Sequence, residues 1–435
     1  MNLHRRHLLA LPLALAARPL WAADRQAMER DVVTTWYRLV LELVRHTATY
    51  SPPVASRAFA CIGITAHEAL SGGNPALRSL SGQVTDLAAL PARDPGPHDA
   101  ACVLHAALAA AAQAYFGNTG PTGQRAMAAM AERMGTKASD GIAADVVARS
   151  IARGEAVAAH ILAWSLADGG AVVENMGFPQ SYTPGANPQD WLPTSLVRQQ
   201  QAPLLPTWGE NRPFAMPRGN ACAIPAPPAY SEDPTSAFFM AAKEVFDTTA
   251  TLTDEQRLIA RFWSDDPMLS PTPPGHWICI VLDIADRDDL PAERVAEVLA
   301  VLGVALADAF IGCWASKYEF NLLRPVTFIH RHIDPTWEPM LITPPFPEYP
   351  SGHSTQSGAA AAVLTAAFGE NFAFDDATHE DDGMPVRRFT SFWEAAEEAA
   401  ISRLYGGIHY RFAISEGLIQ GRCIGAHAIA LKTRA

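Results

Sequence analysis

The chain has 435 residues, 49% of them hydrophobic and 18% charged, with 45 acidic against 33 basic residues and a formal net charge of −12. That is enough apolar material for two ordinary domains or one large one. An acidic balance of this size argues against general binding to nucleic acid or anionic membranes, so any anion site must be a local cationic cluster.

The first residues carry Arg5-Arg6, an apolar run from Leu8 to Ala17, and small residues at Ala22-Ala23. This is the pattern of an export signal over 1–23. The run is too short to span a bilayer comfortably. The arginine pair is compatible with the twin-arginine route, and the expected location is the bacterial periplasm. Helical periodicity follows at Met28–His46, Val54–Leu70, Asp99–Phe116, Gln124–Met134 and Ala138–Leu166. From Gly169 to Pro234 proline, glycine, asparagine and tryptophan dominate. A stretch of that length reads as an ordered crossover rather than an ordinary loop.

Helices resume at Thr235–Thr248, Thr253–Phe262, His276–Ala285 and Ala292–Tyr318. The most apolar stretch, Val295–Ala315, carries Glu297 and Asp308, which favours a buried helix over a membrane span in the mature protein. A loop over Arg324–Pro350 precedes helices around Ser351–Phe368, Phe389–Tyr405 and Ser415–Leu431. The expected fold is all-α, two packed helical bundles over 24–200 and 201–435, with the site in the C-terminal bundle. The six cysteines form no C-x-x-C pair. Most sit in apolar helical contexts, where buried free thiols are expected, and disulfide pairing is not assignable from sequence.

Three segments of the second half carry chemistry together. In KYEFNLLRP, Lys317 and Arg324 are seven apart, on one face if the helix continues to Pro325, which then stops it. In PSGHS, Ser351 suits an N-cap, Gly352 admits close backbone approach, and His353 stands in the first turn of an apolar helix. That helix N-terminus favours an anion. In ISRLYGGIHYRF, Arg403 and His409 are six apart across Gly406-Gly407. A helix end and a turn there would aim both side chains at one point. Each segment alone has an ordinary reading as solvated charge, a plain cap or a lone pair of polar residues. Together they offer three permanent cations for a multiply charged oxyanion and two histidines for ligand and acid–base roles.

The order K-x₆-R-P, P-S-G-H, S-R-x₅-H over residues 317–413 resembles the tripartite signature of vanadium-dependent haloperoxidases and type-2 phosphatidic acid phosphatases. Trp314 and Phe346 stand where chloroperoxidase-type members place the apolar wall of the vanadate pocket. The resemblance therefore implies vanadate as cofactor, with His409 as metal ligand and Lys317, Arg324, Arg403, Ser351 and Gly352 holding the oxyanion. His353 would exchange protons while hydrogen peroxide oxidises a halide to hypohalous acid, which acts on a small organic acceptor. The same residues would serve an exported acid phosphatase, with no metal, His409 attacking a phosphate ester and His353 protonating the leaving oxygen. A non-catalytic oxyanion binder is the third reading. No nucleic-acid partner is implied, and a homodimer is allowed.

The family pattern continues with an aspartate bonding the histidine's far nitrogen. Here that position is Ala413, and Glu416 is the expected substitute. Two other motifs carry weaker signals. His330, His332 and Asp334 echo a metallohydrolase pattern without the strands such sites need, and are expected to be structural. His67-Glu68 lacks the second histidine of a zinc-protease helix.

Overall fold

The computed structural model describes residues 10–171, 182–195, 202–266 and 268–435, with side chains from residue 23 onward. The side chains of residues 1–22 of the expected export segment (1–23), and the expected boundary near residue 200, lie outside the described residues. Thirteen α-helices, one 3-10 turn at Trp208–Glu210 and one two-stranded hairpin make up the regular structure of the described residues. The first group is α1 (Ala10–Arg45), α2 (Pro52–Ser71), α3 (Ala100–Phe116), α4 (Pro121–Ser139) and α5 (Ala144–Ser165). After the crossover come α6 (Ala237–Ala250), α7 (Asp254–Phe262), α8 (Thr272–Arg287), α9 (Ala292–Phe320) and α10 (Pro325–His332). Then follow α11 (Gly352–Phe368), the antiparallel strands β1 (Phe374–Asp376) and β2 (Arg387–Phe389), α12 (Phe392–Tyr405) and α13 (Arg411–Ile429).

Local chemistry explains the helix starts. Asp99, Ser236, Thr253, Ser351 and Ser391 each accept an N–H from the first turn of the helix they precede. Thr253 and Gln256 complete a reciprocal capping box. Three boundaries differ from the sequence reading. The expected helix over Ala138–Leu166 is split, because the chain turns at Gly141 in the left-handed region (φ 72°). The expected loop over Arg324–Pro350 contains α10, which Pro325 opens at its first position, where a missing N–H costs nothing. Lys317 and Arg324 consequently do not share a helix, since α9 ends at Asn321 (φ 46°) and Arg324 lies in extended backbone before α10.

Helix α9 is the central element. It is the one helix among the described residues long and apolar enough to cross a membrane, and 89% of that window is buried inside the protein. It runs against α2 at backbone contact: a Cβ on Gly63 would stand 2.9 Å from Ala300 Cα, and one on Gly303 2.9 Å from Ala60 Cα. The two buried carboxylates of the helix, Glu297 and Asp308, are satisfied internally. Asp308 accepts the N–H groups of Phe214, Ala215 and Met216 at 2.7–2.8 Å, which docks the crossover onto the helix. Glu297 receives Arg294, Thr433 and Arg434, which docks the C-terminus.

One continuous apolar core joins helices α1 to α5 with α7, α8, α9, α11, α12 and α13. A smaller aromatic cluster, including Phe238, Phe328, Tyr349 and Tyr410, lies close to the motif segments. Helices α11 and α13 also meet at backbone contact, with Gly421 against Thr355 and Gly417 against Ser351. Cys222 and Cys423, whose pairing the sequence left open, form a disulfide, because the crossover folds back onto α13. Cys61, Cys102, Cys279 and Cys313 are free.

Candidate active site

The last turns of α9 present Trp314 and Lys317, both buried. Lys317 Nζ donates to the carbonyls of Pro347, Glu348 and Pro350 at 2.8, 2.9 and 2.6 Å. All three ammonium hydrogens are thus committed to backbone oxygen, and the side chain contributes positive charge rather than a spare donor. The Nζ lies 5.1 Å from the centre of the Phe346 ring, and Arg324 lies 4.9 Å from the same ring. Trp314 packs against Phe346 with centroids 4.9 Å apart. The two aromatics therefore form an apolar wall that also receives the faces of two cations.

Arg324 donates from Nε to Phe346 O at 3.0 Å and from Nη1 to Ile408 O at 2.9 Å. Its Nη1 also stands 3.1 Å from His409 Nε2. The other terminal nitrogen, Nη2, is buried with no partner. Arg403, at the end of α12, donates from Nη2 to Trp263 O at 2.6 Å, and its Nη1 lies 3.4 Å from His353 Nε2. The chain then turns through Gly407 (φ 78°) and delivers His409 just before α13. The helix end followed by a turn is what the Arg403–His409 spacing required.

Ser351 caps α11, with its oxygen accepting from Ser354 N and its own N–H donating to Ala413 O at 3.0 Å. The first-turn N–H groups at Gly352 and His353 have no carbonyl within the helix to bond. A Cβ on Gly352 would meet nothing closer than Trp314 at 3.8 Å. Protein packing therefore does not demand glycine there, and the space is open to a ligand. Lys317, Arg324, Ser351, Gly352, Arg403 and His409 are buried, whereas His353 and Phe346 are partly exposed.

The residue that sequence reasoning missed is Glu348. Its Oε1 accepts from His409 Nδ1 at 2.7 Å and from Tyr410 N at 2.9 Å. It takes the task expected of Glu416, replacing the aspartate absent at Ala413. The carboxylate comes from the approach to α11 rather than from α13, so no spacing counted forward from His409 could reveal it. The available signal was a lone carboxylate in an otherwise apolar, proline-rich stretch, Phe346–Pro350. With Nδ1–H donated to Glu348, the Nε2 lone pair of His409 is turned toward Arg324.

Electrostatics describe a pocket short of negative charge. Burial drives Lys317 down to about 7 and Arg324 and Arg403 down to about 10. Burial and the neighbouring arginines and Lys317 hold His409 well below the usual imidazole range, and burial with Arg403 does the same to His353. Glu348 is pushed up to about 7 by burial, although Arg324, Lys317 and the Tyr410 N–H pull it the other way. A multiply charged oxyanion would relieve each cation. An orphaned guanidinium nitrogen, an open glycine, a helix N-terminus and a neutral imidazole nitrogen fit vanadate or phosphate alike.

The other motifs are structural. His332 bonds Tyr230 at 3.2 Å, His330 bonds Trp337 O, and Asp334 caps Thr336. His67 bonds Arg78 O, and Glu68 is held by Ser79 and Leu80.

Comparison with known proteins agrees with this geometry. Residues 297–435 match the family described as the VCPO second helical-bundle domain. Vanadium chloroperoxidase of Curvularia inaequalis is 30% identical over 35% of this chain and 35% of its own length. Vanadium-dependent bromoperoxidase of Ascophyllum nodosum is 37% identical over 19% of this chain and 17% of its own. The matched region thus spans about a third or less of these curated relatives. Among solved structures, the first bacterial vanadium-dependent iodoperoxidase superposes with a TM-score of 0.84 at 36% identity, covering 93% of this chain and 97% of that one. A bacterial vanadium-dependent chloroperoxidase superposes with a TM-score of 0.65 at 15% identity, covering 90% and 95%, a likeness of fold. A site of this composition on this fold, shared over nearly the full length of the iodoperoxidase chain, places the protein in the vanadium-dependent haloperoxidase family.

Proposed function

We propose that the protein is an exported vanadate-dependent haloperoxidase that uses hydrogen peroxide to oxidise halide to hypohalous acid. The observation that favours this reading over phosphoryl transfer is the likeness to a bacterial vanadium-dependent iodoperoxidase over 97% of that chain at 36% identity. The site that would serve it is His409, tied at Nδ1 to Glu348 and presenting Nε2 among Lys317, Arg324 and Arg403. Bound vanadate supplies Lewis-acid activation of peroxide without a change in its own oxidation state. His409 would hold vanadium through Nε2. Arg324 offers the free Nη2 donor, and Lys317 and Arg403 offer charge. The first-turn N–H groups of α11 would face the remaining oxygens. His353, held 3.4 Å from Arg403 and partly exposed, is placed to take a proton from incoming peroxide and return it to the departing oxygen. Trp314 and Phe346 keep one side dry, which strengthens every polar interaction inside. A small organic acceptor, a homodimer, a periplasmic location and the division near residue 200 belong to the same proposal.

The test pairs two assays on purified protein. After loading with vanadate, peroxide-dependent halogenation of a phenolic dye is expected. The vanadate-free form is expected to leave a chromogenic phosphate ester intact. Ester hydrolysis without halogenation would instead assign the site to phosphoryl transfer through His409, and silence in both would leave an oxyanion binder. Full halogenation by His409→Ala would overturn the site.

A further inference from the structure

Behind Arg403 lies a buried group of acids and histidines that the proposed reaction does not use. Asp265 precedes α8 with a left-handed backbone (φ 49°), His276 lies on α8, and His379 follows β1. All three are buried. His276 Nδ1 stands 2.9 and 3.1 Å from the two Asp265 oxygens, and His379 Nε2 stands 3.2 Å from Oδ1. We propose that Asp265, His276 and His379 form a second, structural metal site that takes one zinc ion.

Four features support it. Two imidazole nitrogens and a carboxylate are a donor set zinc prefers, and bonds of about 2.0–2.2 Å in a tetrahedron put donors about 3.3–3.6 Å apart. The nitrogen–oxygen separations of 2.9–3.2 Å need to open by about 0.1–0.7 Å to reach that spacing, and the ligand atoms of all three residues already lie within 4.8 Å of one another. Each imidazole has its far nitrogen on a carboxylate of its own: His276 Nε2 on Asp376 at 2.8 Å, and His379 Nδ1 on Asp382 at 3.0 Å. That outer arrangement is how metal-binding histidines are oriented. Phe262 and Trp263 pack on the two rings, with Trp263 stacked on His276 at 4.4 Å. A dry aromatic wall of this kind keeps water from competing for the ion. One Asp265 oxygen and the two imidazole nitrogens make three donors, and a water molecule can take the fourth tetrahedral position, as in other three-ligand zinc sites.

Charge balances in both states. Without an ion, each imidazole bonds carboxylates through both nitrogens and so carries two protons. Two imidazoliums with Arg45 on Asp382 then offset Asp265, Asp376 and Asp382. With zinc, the two protons facing Asp265 leave to solvent and the divalent ion replaces their charge. The site ties α8 to the segment after β1 and lies two residues from Trp263, whose carbonyl holds Arg403. It would brace the active site without touching substrate, and the inference stands independently of the halogenation reading.

The experiment uses full-length protein stripped with a chelator, incubated with zinc at neutral pH, desalted and measured by elemental mass spectrometry. About one zinc per chain is expected to remain. Cobalt(II) in place of zinc should give the intense visible bands of tetrahedral coordination. His379→Gln and Asp265→Asn should lose the zinc while keeping helical circular dichroism, and His409→Ala should keep it. Wild-type protein that retains below about a tenth of an equivalent and gives no tetrahedral cobalt spectrum overturns the proposal and leaves a proton-held ion network. So does zinc that disappears in His409→Ala but persists in His379→Gln, which would put it in the oxyanion pocket. The wild-type loading and cobalt measurements decide the matter even if a variant fails to fold.

Discussion

Glu348 Oε1 and His409 Nδ1 stand 2.7 Å apart with both side chains buried, so one carboxylate fixes which ring nitrogen faces the pocket. A buried carboxylate in that place also offsets Lys317 and Arg324. Replacing it with glutamine keeps an acceptor but removes the charge. Glu348→Gln is therefore expected to weaken vanadate binding by about 10–100-fold, the usual cost of losing such a partner. Vanadate titration of the apo protein measures it. Glu416→Gln should bind as the wild type does, and a reversed result would return the role to Glu416.

Arg324 illustrates why arginine and lysine are not interchangeable here. One guanidinium spans Phe346 O, Ile408 O and His409 Nε2 while keeping Nη2 free. A lysine offers one nitrogen for four tasks. Arg324→Lys is expected to cut kcat/KM for halide oxidation by about 100-fold or more, in the range seen for removing one oxyanion donor. Steady-state peroxidation checks this, with circular dichroism to show that the fold persists.

Much of this was legible in the chain because helix grammar is local. The cap at Ser351, the prolines and the apolar period placed most helices to within a few residues. The three motif segments could be read for the same reason, since each keeps its functional residues within ten positions. What could not be read depended on contacts between distant segments. Glu348 reaches His409 across 61 positions, and Cys222 meets Cys423 across 201. The turn at Asn321 likewise broke the shared face assumed for Lys317 and Arg324, because left-handed backbone at an asparagine leaves only a weak mark in sequence.

The Cys222–Cys423 disulfide links the crossover to α13 and closes a loop of about 200 residues. Cross-links of long loops contribute about 2–4 kcal/mol, mainly by restricting the unfolded chain. Reduction, or Cys423→Ser, should lower the denaturant midpoint without changing the circular dichroism of the folded protein. Equal midpoints with and without reductant would show that the bond adds no stability.

Asp308 is a test of buried hydrogen bonding. It sits inside α9, is 1% exposed, and is pushed up to about 6 by burial, with the N–H groups of Phe214, Met216 and Ala215 pulling the other way. Alanine there would strand three backbone donors at the docked crossover. Asp308→Ala is expected to cost about 3 kcal/mol or more, since each unpaired buried donor costs about 1–3 kcal/mol. Asp308→Asn should cost less, because its one carbonyl can still receive part of the set. Urea unfolding of the three proteins gives the order directly.

Glu297 gives the acid dependence. Burial raises its carboxyl, but Arg434, Thr433 and Arg294 outweigh burial and leave it at about 2, below the usual 4.5. A carboxyl depressed on folding adds stability that is fully present above its unfolded value and disappears as pH falls through the folded one. The window is therefore pH 4.5 down to about 2. Glutamine cannot titrate, so Glu297→Gln should melt below the wild type at pH 6 and converge with it as the pH is lowered through that window. Because Arg434 is half exposed, added salt should narrow the gap at pH 6. Melting curves of both proteins across pH and salt test the assignment. A gap that widened toward acid would reverse the sign and refute the ion pair as an anchor of the C-terminus.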